Sequence, residues 1–196
     1  LLLKEKNSMI KEIQKKLGIG TVKKQGILEN QANYVYLALG SNLGNKINNL
    51  IKTQQLILES NIQIVKSSNF YKTESWPNKN FPFYVNSVIL VKTPLNPIKL
   101  LNTIKSIEVM IGRKKARKNH PRVCDIDIID FNGKVYNLER NNKKLSIPHK
   151  SMHLRNFVLF PLFEISKNWS HPISKRNIKD LIFSLPTKEL RTIKLI

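Results

Sequence analysis

Two amphipathic helices, each lying between short runs of β-branched and aromatic residues, do most to limit what this chain can fold into. Tyr34-Val-Tyr-Leu-Ala-Leu39 has the composition of a strand. The glycine turn Gly40-Ser-Asn-Leu-Gly44 leads from it into Ile47, Leu50, Ile51 and Leu58, one face of a helix. Further strands are predicted from Ile62 to Tyr71 and from Tyr84 to Lys92. Asn96-Pro97 then offers a capping side chain and a proline preset for the first helical turn, and Ile98, Leu101, Ile104, Ile107 and Ile111 give the second helix its apolar face as far as Gly112. A strand in the run Arg122–Phe131 completes the order strand, helix, strand, strand, helix, strand. That order is the ferredoxin-like β-α-β-β-α-β motif, so the expected fold is α+β, an antiparallel sheet packed by helices. Asn132-Gly133 predicts a two-residue hairpin that returns the chain through Lys134–Leu138. Helices over Met152–Ser166 and Asn177–Ser184 follow. The domain is taken to span 33–186, after a leader at 1–32 with a short helix from Met9 to Leu17 and no assigned role. The tail at 187–196 is undetermined.

A chain of 196 residues suits one well-buried domain. No apolar run approaches the roughly 20 residues needed to cross a bilayer. Lys4, Glu5 and Lys6 interrupt Leu1–Leu3 before a secretory core can develop. A cytoplasmic protein is expected, in keeping with a single cysteine, Cys124, which cannot form an internal disulfide. The net charge of +21 would ordinarily point to nucleic acid or another polyanion. Lysine, however, is scattered from Lys4 to Lys194, and charge concentrates only in 113–122. The excess therefore reads as general attraction to anions with one focus.

That focus adjoins the chemistry. In Arg122-Val-Cys-Asp-Ile-Asp-Ile-Ile-Asp-Phe131, strand alternation puts Asp125 and Asp127 on one face and Cys124 on the other. Two carboxylates so close repel each other unless a cation lies between or beside them. Magnesium suits the position, because it takes one or two carboxylates and completes its shell with water and substrate phosphate. The segment Gly112–Arg122 before the strand is basic, bounded by Gly and Pro, and without apolar periodicity. A cationic loop feeding a strand of paired acids fits a polyphosphate neutralised from both sides. Taken alone, the same pattern is also that of a solvated strand face. The aromatic loop from Thr73 to Phe83, with Trp76 and Phe81, has the length to close over a ligand, or else to anchor itself in the core. The turn at 40–44 lacks Walker spacing, which excludes a P-loop.

Several motifs stand in one order: Leu39-Gly-Ser-Asn-Leu-Gly44, Phe70-Tyr-Lys-Thr73, Phe83-Tyr-Val-Asn86, Ile107-Glu108 with Gly112-Arg113, Pro121-Arg-Val-Cys-Asp-Ile-Asp127, Ile147-Pro-His149, and Arg155-Asn-Phe-Val-Leu-Phe-Pro-Leu-Phe-Glu164. On these the chain resembles the 6-hydroxymethyl-7,8-dihydropterin pyrophosphokinases of the folate pathway, from about Tyr34 to Leu185. The resemblance implies transfer of a pyrophosphoryl group from ATP to the pterin hydroxymethyl, releasing AMP, with two magnesium ions on Asp125 and Asp127. It implies that Arg113 and Arg122 are catalytic and, with Lys115, grip the triphosphate. Lys105, Glu108, Ile128, Lys144, Ser146, His149 and Arg155 match positions on the nucleotide side. Tyr84 and Phe157 match the stacking positions for the pterin ring, whose edge would be read by Asn86, Thr73 and Ser75. Only small-molecule partners follow from this, with no specific nucleic acid, no membrane and a monomeric chain.

The chain departs from the family pattern in two places. Asn119 and His120 stand where many members carry tryptophan and glycine, and Lys115 replaces an arginine, keeping charge but losing the bidentate fork. The rival from another class is a basic ferredoxin-like RNA-binding module. It shares the topology, but no Gly-Phe-rich aromatic signature is present, and paired acids would repel phosphates. A nucleotidyl transferase of another D-x-D kind would share the metal chemistry without the pterin pocket.

Overall fold

The strand β1 (Asn33–Ser41) buries Val35, Leu37 and Leu39 on one face and turns Tyr36 and Ala38 to the other, so both of its faces have to be covered. A computed structural model describes residues 32–75, 78–114, 120–140 and 143–196; the expected leader helix, Trp76, Lys115 and Asn119 lie outside them. After β1 come α1 (Lys46–Glu59), β2 (Gln63–Ser67), β3 (Tyr71–Thr73), β4 (Tyr84–Thr93), α2 (Pro97–Met110) and β5 (Asp125–Phe131). These are followed by β6 (Tyr136–Arg140), β7 (Lys143–Ile147), a 3-10 turn (Met152–Leu154), α3 (Asn156–Ile165), α4 (Ile178–Phe183), α5 (Thr187–Thr192) and β8 (Lys194–Leu195).

The main sheet runs β5-β1-β4, with β2 and β3 both paired to β4 end to end, and every pairing is antiparallel. The order β5-β1-β4-β2 is the ferredoxin-like core expected from the strand and helix order. One sheet face packs on α1 and α2 through Leu50, Ile57, Leu100, Ile104 and Ile107; the other packs on α3 and α4 through Val158, Leu159, Leu162, Ile178 and Leu181. Among the described residues, no helix is long and apolar enough to cross a membrane.

The structure differs locally from the sequence-based expectation in three places and defines the tail that the sequence left open. The single strand expected from Ile62 to Tyr71 is broken, because the Ser68 hydroxyl oxygen accepts from the Val88 amide (2.9 Å) and Glu164 accepts from the Asn69 backbone and side-chain N–H groups at 2.8–3.0 Å. The Asn132-Gly133 turn forms with both residues at positive φ (54° and 65°) and closes on one Phe131–Lys134 bridge, but from Tyr136 the chain pairs with β7 rather than continuing along β5. Tyr136 instead packs edge-on against Phe131, and Leu138 joins the core below. The helix expected over Met152–Ser166 is interrupted at Arg155, whose backbone is extended (φ −116°, ψ 103°). The segment after Pro186 forms α5 and β8, and β8 adds an outer strand to β3.

Asp130 ties the second core to the sheet. It is 3% exposed, accepting from the Trp169 indole N–H (2.7 Å) and the Gly133 amide (2.8 Å). Burial raises its pKa above the ordinary 3.8, and these donors hold it partly down. A raised carboxyl pKa means that this group's contribution to stability is full below 3.8 and lost as pH rises through the folded value. Trp169→Phe leaves the carboxylate short of one partner and is expected to cost about 1–3 kcal/mol in urea unfolding at neutral pH. The loss should shrink as pH is lowered toward 3.8, because a protonated Asp130 leaves no unpaired charge.

Candidate active site

The outer edge of β5 carries the site. β5 is the last strand on its side of the main sheet, and Ile129 is an extra residue in its pairing with β1, where the register shifts. Up to that bulge the alternation holds: Ile126 and Ile128 join Cys124 in the α1 and α2 core, while Asp125 and Asp127 share the opposite face. Both acids remain about a third exposed, at 30% and 33%.

Each acid already meets cations. Arg113 Nη1 donates to Asp125 Oδ1 at 2.6 Å and lies 2.6 Å from Glu108 Oε1, while Arg122 Nη1 reaches Asp125 Oδ2 at 3.2 Å. Arg155, at the break before α3, donates to Asp127 Oδ2 at 3.3 Å. His149 Nε2 is 4.0 Å from that oxygen, and His149 Nδ1 accepts from the Ser151 amide (3.2 Å), which leaves the proton on Nε2. Burial pushes the His149 pKa below 6.5, with Asp127 opposing, so the ring is neutral at neutral pH. Burial also lowers the Arg113 pKa, but the Asp125 and Glu108 carboxylates more than offset it.

A cavity of about 480 Å³ opens beside this cluster, and Lys105, Asp127, Ile128, Lys144, Ser146, His149 and Arg155 all line it. Seven of the residues singled out in the sequence therefore meet at one opening. Glu108 does not: it is 2% exposed and spends its carboxylate on Lys105 Nζ (2.9 Å), Arg113 and the Ile126 amide (2.9 Å). It positions the cations and the start of β5 rather than facing a ligand. A second cavity, about 400 Å³, lies behind the Pro148–His149 wall among His153, His171 and Leu181 and contains neither acid.

The remaining candidates gather on β3, β4 and α3. Asn86, Thr73 and Ser75 are buried, and Asn86 Nδ2 donates to Thr73 Oγ1 at 3.0 Å. Tyr84 begins β4, where burial raises its phenol pKa against the pull of Arg122. Gly40 faces both: a Cβ there would come within 3.2 Å of Asn86 Oδ1 and 3.6 Å of the Tyr84 ring, so glycine permits this close approach. Phe157 lies on α3 under the Arg155 guanidinium, 5.6 Å from it. Cys124 is fully buried, and its thiol is pushed up to about 12, so it takes no part.

The same turn holds a residue without a role in the sequence-based assignment. Asn42, 1% exposed, donates to Ser75 Oγ (3.2 Å) and the Pro82 carbonyl (3.4 Å), and its Oδ1 accepts from the Arg122 amide (2.7 Å). It joins the Asn86 pocket to the Asp125 cluster. The Gly-Ser-Asn-Leu-Gly motif was its signal, but only the fold reveals what the amide bridges.

The donor set suits a hard divalent ion. Among the described residues no group of three or more His, Cys, Asp or Glu side chains gathers to hold a metal. Two partly exposed carboxylates on one face form instead an incomplete cage, the kind that magnesium completes with water and phosphate. The guanidinium groups now paired with them are themselves phosphate binders.

Residues 36–167 match the profile of the 7,8-dihydro-6-hydroxymethylpterin-pyrophosphokinase (HPPK) family. The 2-amino-4-hydroxy-6-hydroxymethyldihydropteridine pyrophosphokinase of Aquifex aeolicus is 38% identical over 146 residues, covering 74% of this chain and 88% of its own length. The enzyme of that name from Haemophilus influenzae is 38% identical over 141 residues, covering 71% and 86%. In fold, the chain is similar to a crystal structure of Plasmodium falciparum HPPK-DHPS with pterin and p-hydroxybenzoate (TM-score 0.60, 18% identity), spanning 76% of this chain and 43% of that one.

Replacing Asn42 with alanine removes both ends of the bridge at once. The expected cost is about 1–3 kcal/mol of stability, with amide hydrogen exchange faster at Arg122 and unchanged at Ile126, whose N–H is held by Glu108.

Proposed function

This chain belongs to the 7,8-dihydro-6-hydroxymethylpterin-pyrophosphokinase family, and from that premise we propose how its own residues divide the reaction. The reaction transfers pyrophosphate from ATP to 6-hydroxymethyl-7,8-dihydropterin in folate biosynthesis. The pterin hydroxyl oxygen bonds to the β-phosphorus while the bond from that phosphorus to the oxygen shared with the α-phosphate breaks. The electron pair leaves on AMP, and the hydroxyl gives up its proton to water.

ATP occupies the cavity at the β5 edge, with Lys105, Lys144, Ser146 and Arg155 as its polar lining. Asp125 and Asp127 are the side chains that would hold two magnesium ions, and the ions would supply neutralisation of the phosphate oxygens. Arg113 and Arg122 transfer their forks from Asp125 to the triphosphate, and Lys115 adds a further positive charge. His149 stays a neutral donor at Nε2. The pterin ring lies between Tyr84 and Phe157, with Asn86, Thr73 and Ser75 reading its edge, and Asn42 fixes this pocket relative to Arg122. Every group in this account comes from one copy of the chain, so a monomer suffices.

One observation carries the assignment: two carboxylates on one strand face, each paired to a guanidinium, at 2.6 Å for Arg113 and 3.3 Å for Arg155, beside a cavity lined by cations. The RNA-binding alternative has no support, since the relatives are pyrophosphokinases. Asp127→Ala should lower AMP release by more than the roughly 10–100-fold that loss of an outer partner of a metal site costs, with the unfolding curve unmoved. Unchanged AMP release overturns the metal role. Arg122→Ala should depress turnover more than pterin affinity; a loss confined to pterin affinity would remove it from the phosphate-binding group.

A further inference from the structure

The C-terminal segment lies beyond the 36–167 stretch that matches the family profile, yet it touches both halves of the pterin pocket. Asn156, the first residue of α3, is 3% exposed between Arg155 and Phe157. Its Nδ2 donates to the Glu189 carbonyl at 2.6 Å and to Thr192 Oγ1 at 3.0 Å. Thr192 Oγ1 in turn donates to the same Glu189 carbonyl at 3.0 Å, so one buried amide closes the C-terminal end of α5 onto the N-terminal end of α3. Leu190, between them in α5, packs into the apolar cluster that also receives Phe157.

Two residues after Thr192 the chain becomes β8 and pairs with β3, Tyr71 opposite Leu195 and Lys72 opposite Lys194, and the Ile196 amide donates to the Phe70 carbonyl at 3.0 Å. β3 has only three residues, and its last, Thr73, is the hydroxyl that Asn86 binds. A strand that short is held poorly from one side alone. β4 pairs all three of its residues and β8 pairs Tyr71 and Lys72 from the other edge, which steadies the strand that carries Thr73. The segment 187–196 thus grips Phe157 through Asn156 and Thr73 through β3.

We propose that Asn156 and the C-terminal segment form a latch that sets the position of Phe157 against the Thr73 and Asn86 edge, making Asn156 a positioning residue for pterin binding. The inference rests on the pocket assigned above. Asn156 touches no substrate; its amide is donor to two acceptors on α5, which neither alanine nor a carboxylate can replace. Losing it frees the start of α3 by a fraction of an ångström, and Phe157 no longer meets the ring squarely. Arg155 stays tied to Asp127, so the nucleotide side is affected less.

The test uses the full chain and three variants: Asn156→Ala, Asn156→Asp, and Thr192→Ser, which keeps the hydroxyl. Steady-state kinetics should show KM for the pterin raised about tenfold in the first two, within the roughly 100-fold that a 1 Å misplacement can cost. KM for ATP should move by less than about threefold and kcat at saturation should be largely kept, the pattern of lost substrate binding rather than lost chemistry. Thr192→Ser should behave as the parent. A purely structural role predicts instead a smaller active fraction, lower kcat and an unchanged KM, and that result overturns the latch. If Asn156→Ala fails to fold, removal of 194–196 alone, which leaves the Asn156 bonds in place, must still raise the pterin KM through β3; no change there also overturns it. Phe157→Ala serves as the control. An effect of Phe157→Ala beside silent Asn156 variants sinks the latch alone, whereas a silent Phe157→Ala sinks the pocket assignment and the latch with it.

Discussion

Charge on one edge strand governs this molecule's design. Asp125 and Asp127 are two residues apart on β5, and their mutual repulsion has to be offset by whatever surrounds them. Arg113, Arg122, Arg155 and the His149 ring converge on them from four separate segments, while Glu108 sits underneath and holds Arg113 and Lys105 in place. Surface pairs of this kind contribute little to stability. Their value is that the same guanidinium groups can exchange a carboxylate for a phosphate oxygen without travelling far, so neutralisation is in place before substrate arrives.

An edge is the only part of a sheet where this could be built. A central strand spends both backbone edges on neighbours and both faces on core. β5 spends one edge on β1, and the hairpin β6–β7 leaves the sheet at Asn132-Gly133 rather than closing the other. The hairpin then becomes one wall of the cavity of about 480 Å³, through Lys144 and Ser146. The bulge at Ile129 lets the strand serve two cores in turn: Ile126 and Ile128 pack on α2, and Ile129 with Asp130 faces Trp169.

The sequence was most legible where one residue type meets one local demand. Apolar periodicity located α1 and α2, Asn96-Pro97 located the start of α2 with its side chain accepting from the Lys99 amide, and alternation located the shared face of the acids. It was least legible where a side chain replaces a backbone bond. Nothing local to Ser68 and Asn69 announces that Ser68 and Glu164 will break the strand, because Glu164 is 95 residues from Asn69. The hairpin turn was recognisable from Asn-Gly, but its partner was not, since turn chemistry fixes how a chain reverses and long-range burial of Tyr136 and Leu138 fixes what it then pairs with. Asn42 and Asn156 escaped for the same reason: each is an ordinary asparagine until the fold brings its acceptors to it. Glu108 was matched to the right neighbourhood, yet only its burial shows that it faces inward.

The overall charge of +21 fits the same physics once its distribution is considered. Scattered lysines raise the potential over the whole surface by a screened, non-specific amount, which speeds the approach of any polyanion but selects none. Selection requires cations whose direction is fixed and whose water has been partly removed. Arg113 and Arg122, only 26% and 21% exposed, meet that condition because Glu108 and Asp125 hold them. A long nucleic acid would need many such contacts spread along a groove. Here Arg113 and Arg122 gather at Asp125, next to Asp127 and a cavity of about 480 Å³ lined by Lys105, Lys144 and Arg155. Two bare carboxylates among these cations repel a phosphate backbone, whereas an anion that brings its own divalent ion supplies the charge that offsets them.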